Sequence, residues 1–443
     1  MSAPADLLVV GGGAKAAAVA AKVHAINALG LARIALTIVE ANRPAASWMG
    51  LNGMTSGDEP LAITPIKDVG FPYESGGAFG ELGAELDRAM LGFSWQSYML
   101  DRGGFARWVN AGSPGIRHRD YGAYLAWVLA RATAGVRIVH GRVRRIGLGA
   151  EDRWSVEVAQ ADAERARHEA HALLLTGSGV HRHLPHDPDA APWMFHCDDK
   201  RGEFTRIPAD RRTEIGIVGG GEGALSCLMF LRALRPAARL TVHTPSLPLS
   251  RGESFLENRV FSDPDSVGWS GLDLATRRMF VAQCDRGVFG PDGLAAISYD
   301  DQCRFLTGRV VHLGADGEGV RLDYASPDGP RAERYDYVVN CTGFDLLEQL
   351  RGLFPPPVRA EIERRSGPLW DLPSSTELRF GRGLEVEGLW PRLHIPGLAG
   401  LTQGPGFANL GCLGLLADRV VAPLMVGNVA ERPVGDGRAA TPV

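Results

Sequence analysis

The chain has 443 residues, of which 45% are hydrophobic and 22% charged, with a formal net charge of -4. That length suits two or three domains of a globular protein, and the composition excludes wholesale disorder and a membrane bundle. The slight negative charge excludes a nucleic-acid or membrane-surface role by attraction, and six scattered cysteines offer neither a C-x-x-C pair nor metal-ligand spacing.

Leu7 to Val10 is a short apolar run stopped by Gly11-Gly12-Gly13. Ala14 to Leu29 predicts an alanine-rich helix ended by Gly30, and Ile34 to Val39 a second buried strand bounded by Glu40. With no basic leader and no run near the roughly 18 apolar residues of a membrane span, a reduced cytoplasmic location without stable membrane insertion is expected. Residues 41–115, rich in Gly, Pro, Ser and Trp, predict long loops and short helices of the kind that line a site. Asp120 to Thr133 predicts a helix, and Val136 to Ile146 and Trp154 to Val158 predict strands. The stretch 155–175 reads as a hairpin with a solvated face, and Ala172 to Leu175 as a buried strand ending at Thr176-Gly177.

At Ile215 the chain restarts the same unit: Ile215 to Val218, Gly219-Gly220-Gly221, a helix from Glu222 to Leu234, and a strand from Leu240 to His243. Tyr337 to Asn340 predicts a further strand, ending at Cys341-Thr342-Gly343. The fold class is therefore α/β, with two Rossmann-like dinucleotide-binding domains, the second inserted in the first, plus a small mainly helical substrate-binding region. The expected boundaries are 1–205 and 335–428 for the first domain, and 206–334 for the second with the helical insertion at about 250–292. A flexible tail is expected at 429–443.

G-x-G-x-x-A at Gly11, Gly13 and Ala16 gives each position a purpose: a tight turn, room for a pyrophosphate against the backbone, and close helix-strand packing. Glu40 then places a carboxylate for ribose hydroxyls, so this unit predicts FAD. The second motif, Gly219, Gly221 and Ala224, is followed by a strand ending in His243-Thr244 with no carboxylate. A neutral end followed by Arg251 tolerates or binds a ribose 2′-phosphate, which predicts NADPH, NADH also being compatible; Arg251 as a solvated loop arginine is the equal alternative. Two such units imply reduction of flavin by a nicotinamide. Without a cysteine pair, the acceptors left are oxygen, a quinone or a protein, with oxygen leading.

The segments GGGAKAAAVAAK (11–22), KDVGFPY (67–73), SWQSYM (94–99), YLAWV (124–128), RGESFLENRVFSDP (251–264), DRGVF (285–289) and LTQGPGFANLGCLGLLADR (401–419) resemble the flavin-dependent N-hydroxylating monooxygenases. The likeness is greatest to the lysine N6-hydroxylases of mycobactin- and nocobactin-type siderophore pathways. The resemblance implies that FAD reduced by NAD(P)H reacts with O2 to a C4a-hydroperoxide, which hydroxylates the neutral side-chain amine of L-lysine. Ornithine or another amine, or a non-catalytic redox sensor, are the alternatives. It implies that Lys67 contacts the substrate carboxylate and Asn258 the amino-acid end. A second family asparagine falls at Asp285-Arg286, leaving Asp285 either a ligand of the α-ammonium or a salt-bridge partner of Arg286. Trp48, Gln96, Leu410 and Gly411 are implied flavin contacts, with core packing the alternative for Trp48, as for Trp95 and Trp108. The family glutamine expected after Gly53-Met54 is missing. No catalytic base is identified, and His181, His183, His186 and His196 read as an exposed loop rather than a metal site. Relatives of this kind form dimers or tetramers, and a homo-oligomer is expected.

Overall fold

The computed structural model describes residues 3–51, 55–160, 165–199, 202–209, 211–370 and 379–425. Gly53, Met54 and the tail 429–443 lie outside the described residues. The first unit opens with β1 (Ala5–Val10), α1 (Ala14–Ala28) and β2 (Leu36–Glu40). After short helices that include Gly83–Met90, Trp95–Asp101 and Phe105–Asn110 come α2 (His118–Arg131) and strands β3 (Val136–His140), β4 (Arg142–Leu148), β5 (Trp154–Ala159) and β6 (Arg165–Leu175). They form one sheet in the order β3-β2-β1-β6-β5-β4, which a late strand, Arg392–His394, joins beside β6. β1 pairs in parallel with β2 and β6, so Leu7, Leu8 and Val9 are covered on both faces and wholly buried. The run 136–146 is two strands, not one. Gly141 separates them, and β3 and β4 go to opposite edges of the sheet.

α1 is buried on nearly every side, including Lys22. Its ammonium lies 2.5 Å from Asp418 Oδ1 and donates to Ser75 Oγ at 2.7 Å, both groups being at most 3% exposed. This pair joins α1 to the C-terminal helix.

The second unit comprises β7 (Met194–His196), β8 (Glu214–Val218), α3 (Glu222–Leu234), β9 (Arg239–Thr244), the helices α4 (Phe255–Ser262), α5 (Leu274–Cys284) and α6 (Pro291–Ser298), and β10 (Cys303–Thr307). A meander of β11 (Arg309–Ala315), β12 (Val320–Ser326) and β13 (Gly329–Tyr335) precedes β14 (Tyr337–Asn340). The parallel sheet has the order β10-β9-β8-β14-β7. Residues 194–196 and 337–340, assigned from sequence to the first domain, therefore belong to the second sheet. Parallel neighbours need not be near in sequence, and β14 supplies β8 with its second partner. The two connections between the units run side by side, Val180–His181 pairing antiparallel with Phe344–Asp345. The C-terminal α7 (Leu413–Met425) returns to pack on α1. No helix among the described residues is long and apolar enough to cross a membrane.

Each glycine turn sits against a neighbouring strand end. Gly11 has φ +100°, and a Cβ there would lie 2.5 Å from Thr176 Oγ1; Gly219 has φ +148°, and a Cβ would lie 2.3 Å from Cys341 O. Gly11→Ala is expected to destabilise the first unit by about 1–3 kcal/mol through backbone strain alone. Urea unfolding of the apoprotein, compared with Ala14→Gly as a control outside the turn, measures this.

Candidate active site

The first cradle is the start of α1. Gly13 is its N-cap, has no side chain to cap the free N–H groups, and a Cβ there would meet no atom within 4 Å. The first turn carries no acidic residue. Ala16 is wholly buried, letting helix and strand close up. The open face with uncapped donors fits the anionic pyrophosphate of a dinucleotide. Glu40 ends β2 with its carboxylate accepting from Gly12 N at 2.6 Å and Asn42 N at 2.8 Å, at the mouth of this turn. Trp48 is half-buried, edge-on to His118 and Tyr121 with ring centres 5.1 and 5.2 Å away. Gln96 is exposed on the first turn of helix Trp95–Asp101, and its side chain makes no hydrogen bond among the described residues. Trp95 instead packs in a buried aromatic group with Tyr98, Trp108 and Tyr124.

Lys67 is held by a knot that joins the distant motifs. The neighbouring Asp68, 1% exposed, accepts from Gly70 N (3.0 Å), Tyr73 Oη (2.7 Å) and Trp95 N (2.8 Å). Tyr124 Oη accepts from Val69 N and donates to Phe93 O, and Gly414 N donates to Phe71 O. The segments 67–73, 94–99, 124–128 and 401–419 thus meet around one loop. Burial pushes the Asp68 carboxyl up, and the donors around it oppose that. From this loop Lys67 Nζ donates to Asn258 Oδ1 at 2.8 Å, across 191 residues of sequence. The amide of Asn258 is oriented by Glu253 O and Ser254 O, to which Nδ2 donates. Burial lowers the Lys67 pKa, and Glu253 acts in the opposite sense.

Asp285 follows α5. Its Oδ2 is 3.0 Å from Arg286 Nε, and its Oδ1 accepts from Asn409 Nδ2 at 3.0 Å. Asn409 Oδ1 in turn accepts from Gly411 N at 2.8 Å, so Leu410 and Gly411 are tied to Asp285 through Asn409. Asp285 is therefore only partly the surface salt bridge that sequence allowed: its side chain is 15% exposed, that of Arg286 66%.

The second cradle has Gly221 as the uncapped N-cap of α3 and Ala224 wholly buried. The backbone of Gly287 lies over Gly220 and Gly221. The strand end is neutral as expected, because burial, with Arg304 nearby, pushes His243 down to about 4 while its Nε2 meets Tyr335 Oη at 2.8 Å. Arg251 is neither free nor simply solvated. Its Nη1 lies 2.9 Å from Glu222 Oε1, it pairs with Glu253, and Nη2 donates to Ala62 O at 3.3 Å. Glu222 occupies the first turn of α3, where a carboxylate would oppose a phosphate; Arg251 compensates it. Ala62, Lys67 and Glu59, the last accepting from Ser226 Oγ at 3.5 Å, make residues 59–67 the meeting edge of the two units.

The histidines are more ordered than an exposed loop. His181 stacks on His196 at 4.2 Å and pairs with Asp198 at 2.8 Å, while His183 is exposed. Among the described residues, no group of three or more His, Cys, Asp or Glu is placed to hold a metal. None of the six cysteines is bridged.

The family model for L-lysine 6-monooxygenase/L-ornithine 5-monooxygenase matches residues 90–346. The L-lysine N6-monooxygenase MbtG of Mycolicibacterium paratuberculosis (strain ATCC BAA-968 / K-10) is 37% identical over 426 residues, which are 94% of each chain. The solved structure of the lysine monooxygenase NbtG from Nocardia farcinica, notable for an unprecedented NADPH domain conformation, is 34% identical. It superposes with a TM-score of 0.78 over 94% of this chain and 99% of that one. The Kutzneria sp. 744 ornithine N-hydroxylase KtzI, solved with reduced FAD, NADP+ and L-ornithine, shares the fold at 16% identity, with a TM-score of 0.75 over 95% of this chain and 99% of that one. The chain belongs to the L-lysine 6-monooxygenase/L-ornithine 5-monooxygenase family of flavin-dependent N-hydroxylating enzymes.

Proposed function

We propose that this protein is an L-lysine N6-monooxygenase that uses FAD, NADPH and O2 to make N6-hydroxylysine for a siderophore. The observation that carries the reading is the Lys67–Asn258 pair, a cation from the first unit and an amide from helix α4 of the second set together. Such a pair suits an α-carboxylate: the ammonium supplies charge, and the amide, whose Oδ1 accepts from Lys67 and whose Nδ2 donates to Glu253 O and Ser254 O, holds that ammonium in place. Bound FAD, reduced by NADPH, supplies the oxygen-activating chemistry. The protein must hold the far end of the substrate there with its amine neutral. A free lysine amine has a pKa near 10.4, so the site must favour loss of that proton. Burial of the amine does so. Asp285, whose carboxylate is fixed by Asn409, is assigned to accept from the substrate α-ammonium.

Lysine in place of ornithine is supported by the names of the relatives at 34–37% identity. One methylene is worth only about 1–3 kcal/mol, so the test is direct. Purified protein with FAD and NADPH is assayed for hydroxylamine product from lysine, ornithine and 2,4-diaminobutyrate. Lysine should give the highest kcat/KM; a preference for ornithine would overturn the substrate assignment.

Arg251 reaches a 2′-phosphate only by loosening from Glu222 or Glu253. Arg251→Ala is expected to raise the KM for NADPH about tenfold and that for NADH less than threefold, as loss of one charge-assisted contact. Equal changes for the two coenzymes would reduce Arg251 to the partner of Glu222.

A further inference from the structure

Lys15 is the only charged side chain within the first glycine motif, Gly11 to Ala16. It stands in the first turn of α1, among N–H groups that no side chain caps. Its ammonium spans to the C-terminal segment and donates to Ala408 O at 3.1 Å, a neutral acceptor next to the Asn409–Gly411 turn. No carboxylate of the described residues lies within ion-pair distance of it. The charged and titratable groups facing it are Arg286 and Asp285, from the segment after α5, and the Cys412 thiol. Asp285 is already engaged by Arg286 and Asn409. Cys412 is buried and its thiol is pushed up to about 12, so it stays neutral and gives Lys15 no counter-charge at ordinary pH. The same thiol also feels the charge of Lys67.

We infer that Lys15 is the built-in counter-charge of the bound flavin dinucleotide, its ammonium pairing with negative charge on FAD. The inference rests on the FAD reading above. A cation with burial around it, a like charge beside it and only a carbonyl as partner has an unmet electrostatic demand, and an anion delivered to this cradle meets it. Two parts of FAD carry such charge: the pyrophosphate, and the pyrimidine edge of the isoalloxazine once reduced. In the protein without FAD, burial and Arg286 lower the ammonium to about 8, and the anion returns it toward its ordinary range. The linkage has a definite sign. The free-state pKa lies below the bound-state pKa, so affinity for the anionic form is full below pH 8 and falls as pH rises above it.

The test is FAD reconstitution of the apoprotein, followed by flavin fluorescence from pH 6.5 to 9.5, and the flavin midpoint potential by dye equilibration. Wild type, Lys15→Met and Lys15→Arg are compared. If the pyrophosphate is the partner, the wild-type Kd for oxidised FAD rises about tenfold across the alkaline half of this range. Lys15→Met then has a Kd about tenfold weaker at pH 7 and no pH slope. Lys15→Arg, whose charge does not titrate, keeps the affinity without the slope. If the reduced flavin is the partner, Lys15→Met leaves the oxidised Kd unchanged and makes the potential more negative, and Lys15→Arg restores the potential. A role limited to bridging Ala408 would lower apoprotein stability in Lys15→Met without moving affinity slope or potential, and that result overturns the inference. A wild type that hydroxylates lysine while both variants bind and reduce FAD unchanged also overturns it and leaves the function standing. Failure of the wild type to bind FAD defeats the functional reading with it.

Discussion

Lys67→Ala is expected to lower kcat/KM for lysine by roughly 30- to 150-fold, corresponding to about 2–3 kcal/mol for a lost charge-assisted contact. Most of the change should appear in KM. The carboxylate is remote from the reacting amine, and an interaction present equally in ground and transition states affects binding more than turnover. Lys67→Met separates charge from packing, because the side chain also runs over the Phe71 ring, with Nζ 5.7 Å from its centre. Both variants should show the same loss if charge is what matters. The lowered pKa of Lys67 adds a pH signature: the ammonium is present below its pKa and lost above it. The wild-type KM for lysine should therefore rise at a lower pH than a solvated lysine would require. Steady-state hydroxylamine formation between pH 7 and 10 measures all three effects. Less than a threefold change in either variant would remove Lys67 from the substrate site.

The largest stability effect is expected at the Lys22–Asp418 pair. Both side chains are nearly inaccessible, and the pair fastens α7 to the helix that carries the first cradle. Lys22→Met leaves a buried carboxylate without its cation, and Asp418→Leu a buried ammonium without its anion. Each should cost about 3–5 kcal/mol in the unfolding of the first unit. Joint replacement, Lys22→Met with Asp418→Leu, should recover most of that loss, because two apolar side chains leave no uncompensated charge. Urea titration of the three variants, with circular dichroism and FAD binding followed together, measures this. Losses below about 1 kcal/mol for each single variant would mean that water reaches the pair.

Much of the architecture was legible from local pattern. Gly11, Gly13 and Ala16 lie between a buried strand and a helix within a dozen residues, and the structure places them as such a turn requires. The same holds for Gly219, Gly221 and Ala224. Long-range pairing was the harder part. β14 looked like the return to the first domain because it ends in a T-G turn like β6, yet its partners are β8 and β7. Nothing in a four-residue apolar strand states which sheet it joins.

The same distinction divides the site. Lys67 and Asn258 came from motif resemblance, and only the fold brings them to 2.8 Å. Asp68 stands beside Lys67 in the same motif, but its role depends on Trp95, far along the chain. Asn409 and Lys15 were passed over although both fall within quoted motifs. Their partners, Asp285 and Ala408, lie 124 and 393 residues away. Arg251 was read from the carboxylate that the strand before it lacks. Its carboxylate partner Glu222, 29 residues earlier, gives it a second task.

The most direct test of the N-hydroxylation account is the fate of dioxygen. Purified protein with FAD, NADPH and L-lysine under 18O2 should yield N6-hydroxylysine carrying one labelled oxygen, with product formed in step with lysine-dependent NADPH oxidation. NADPH oxidation that ends only in hydrogen peroxide, with no labelled hydroxylamine from lysine, ornithine or another diamine, would contradict it.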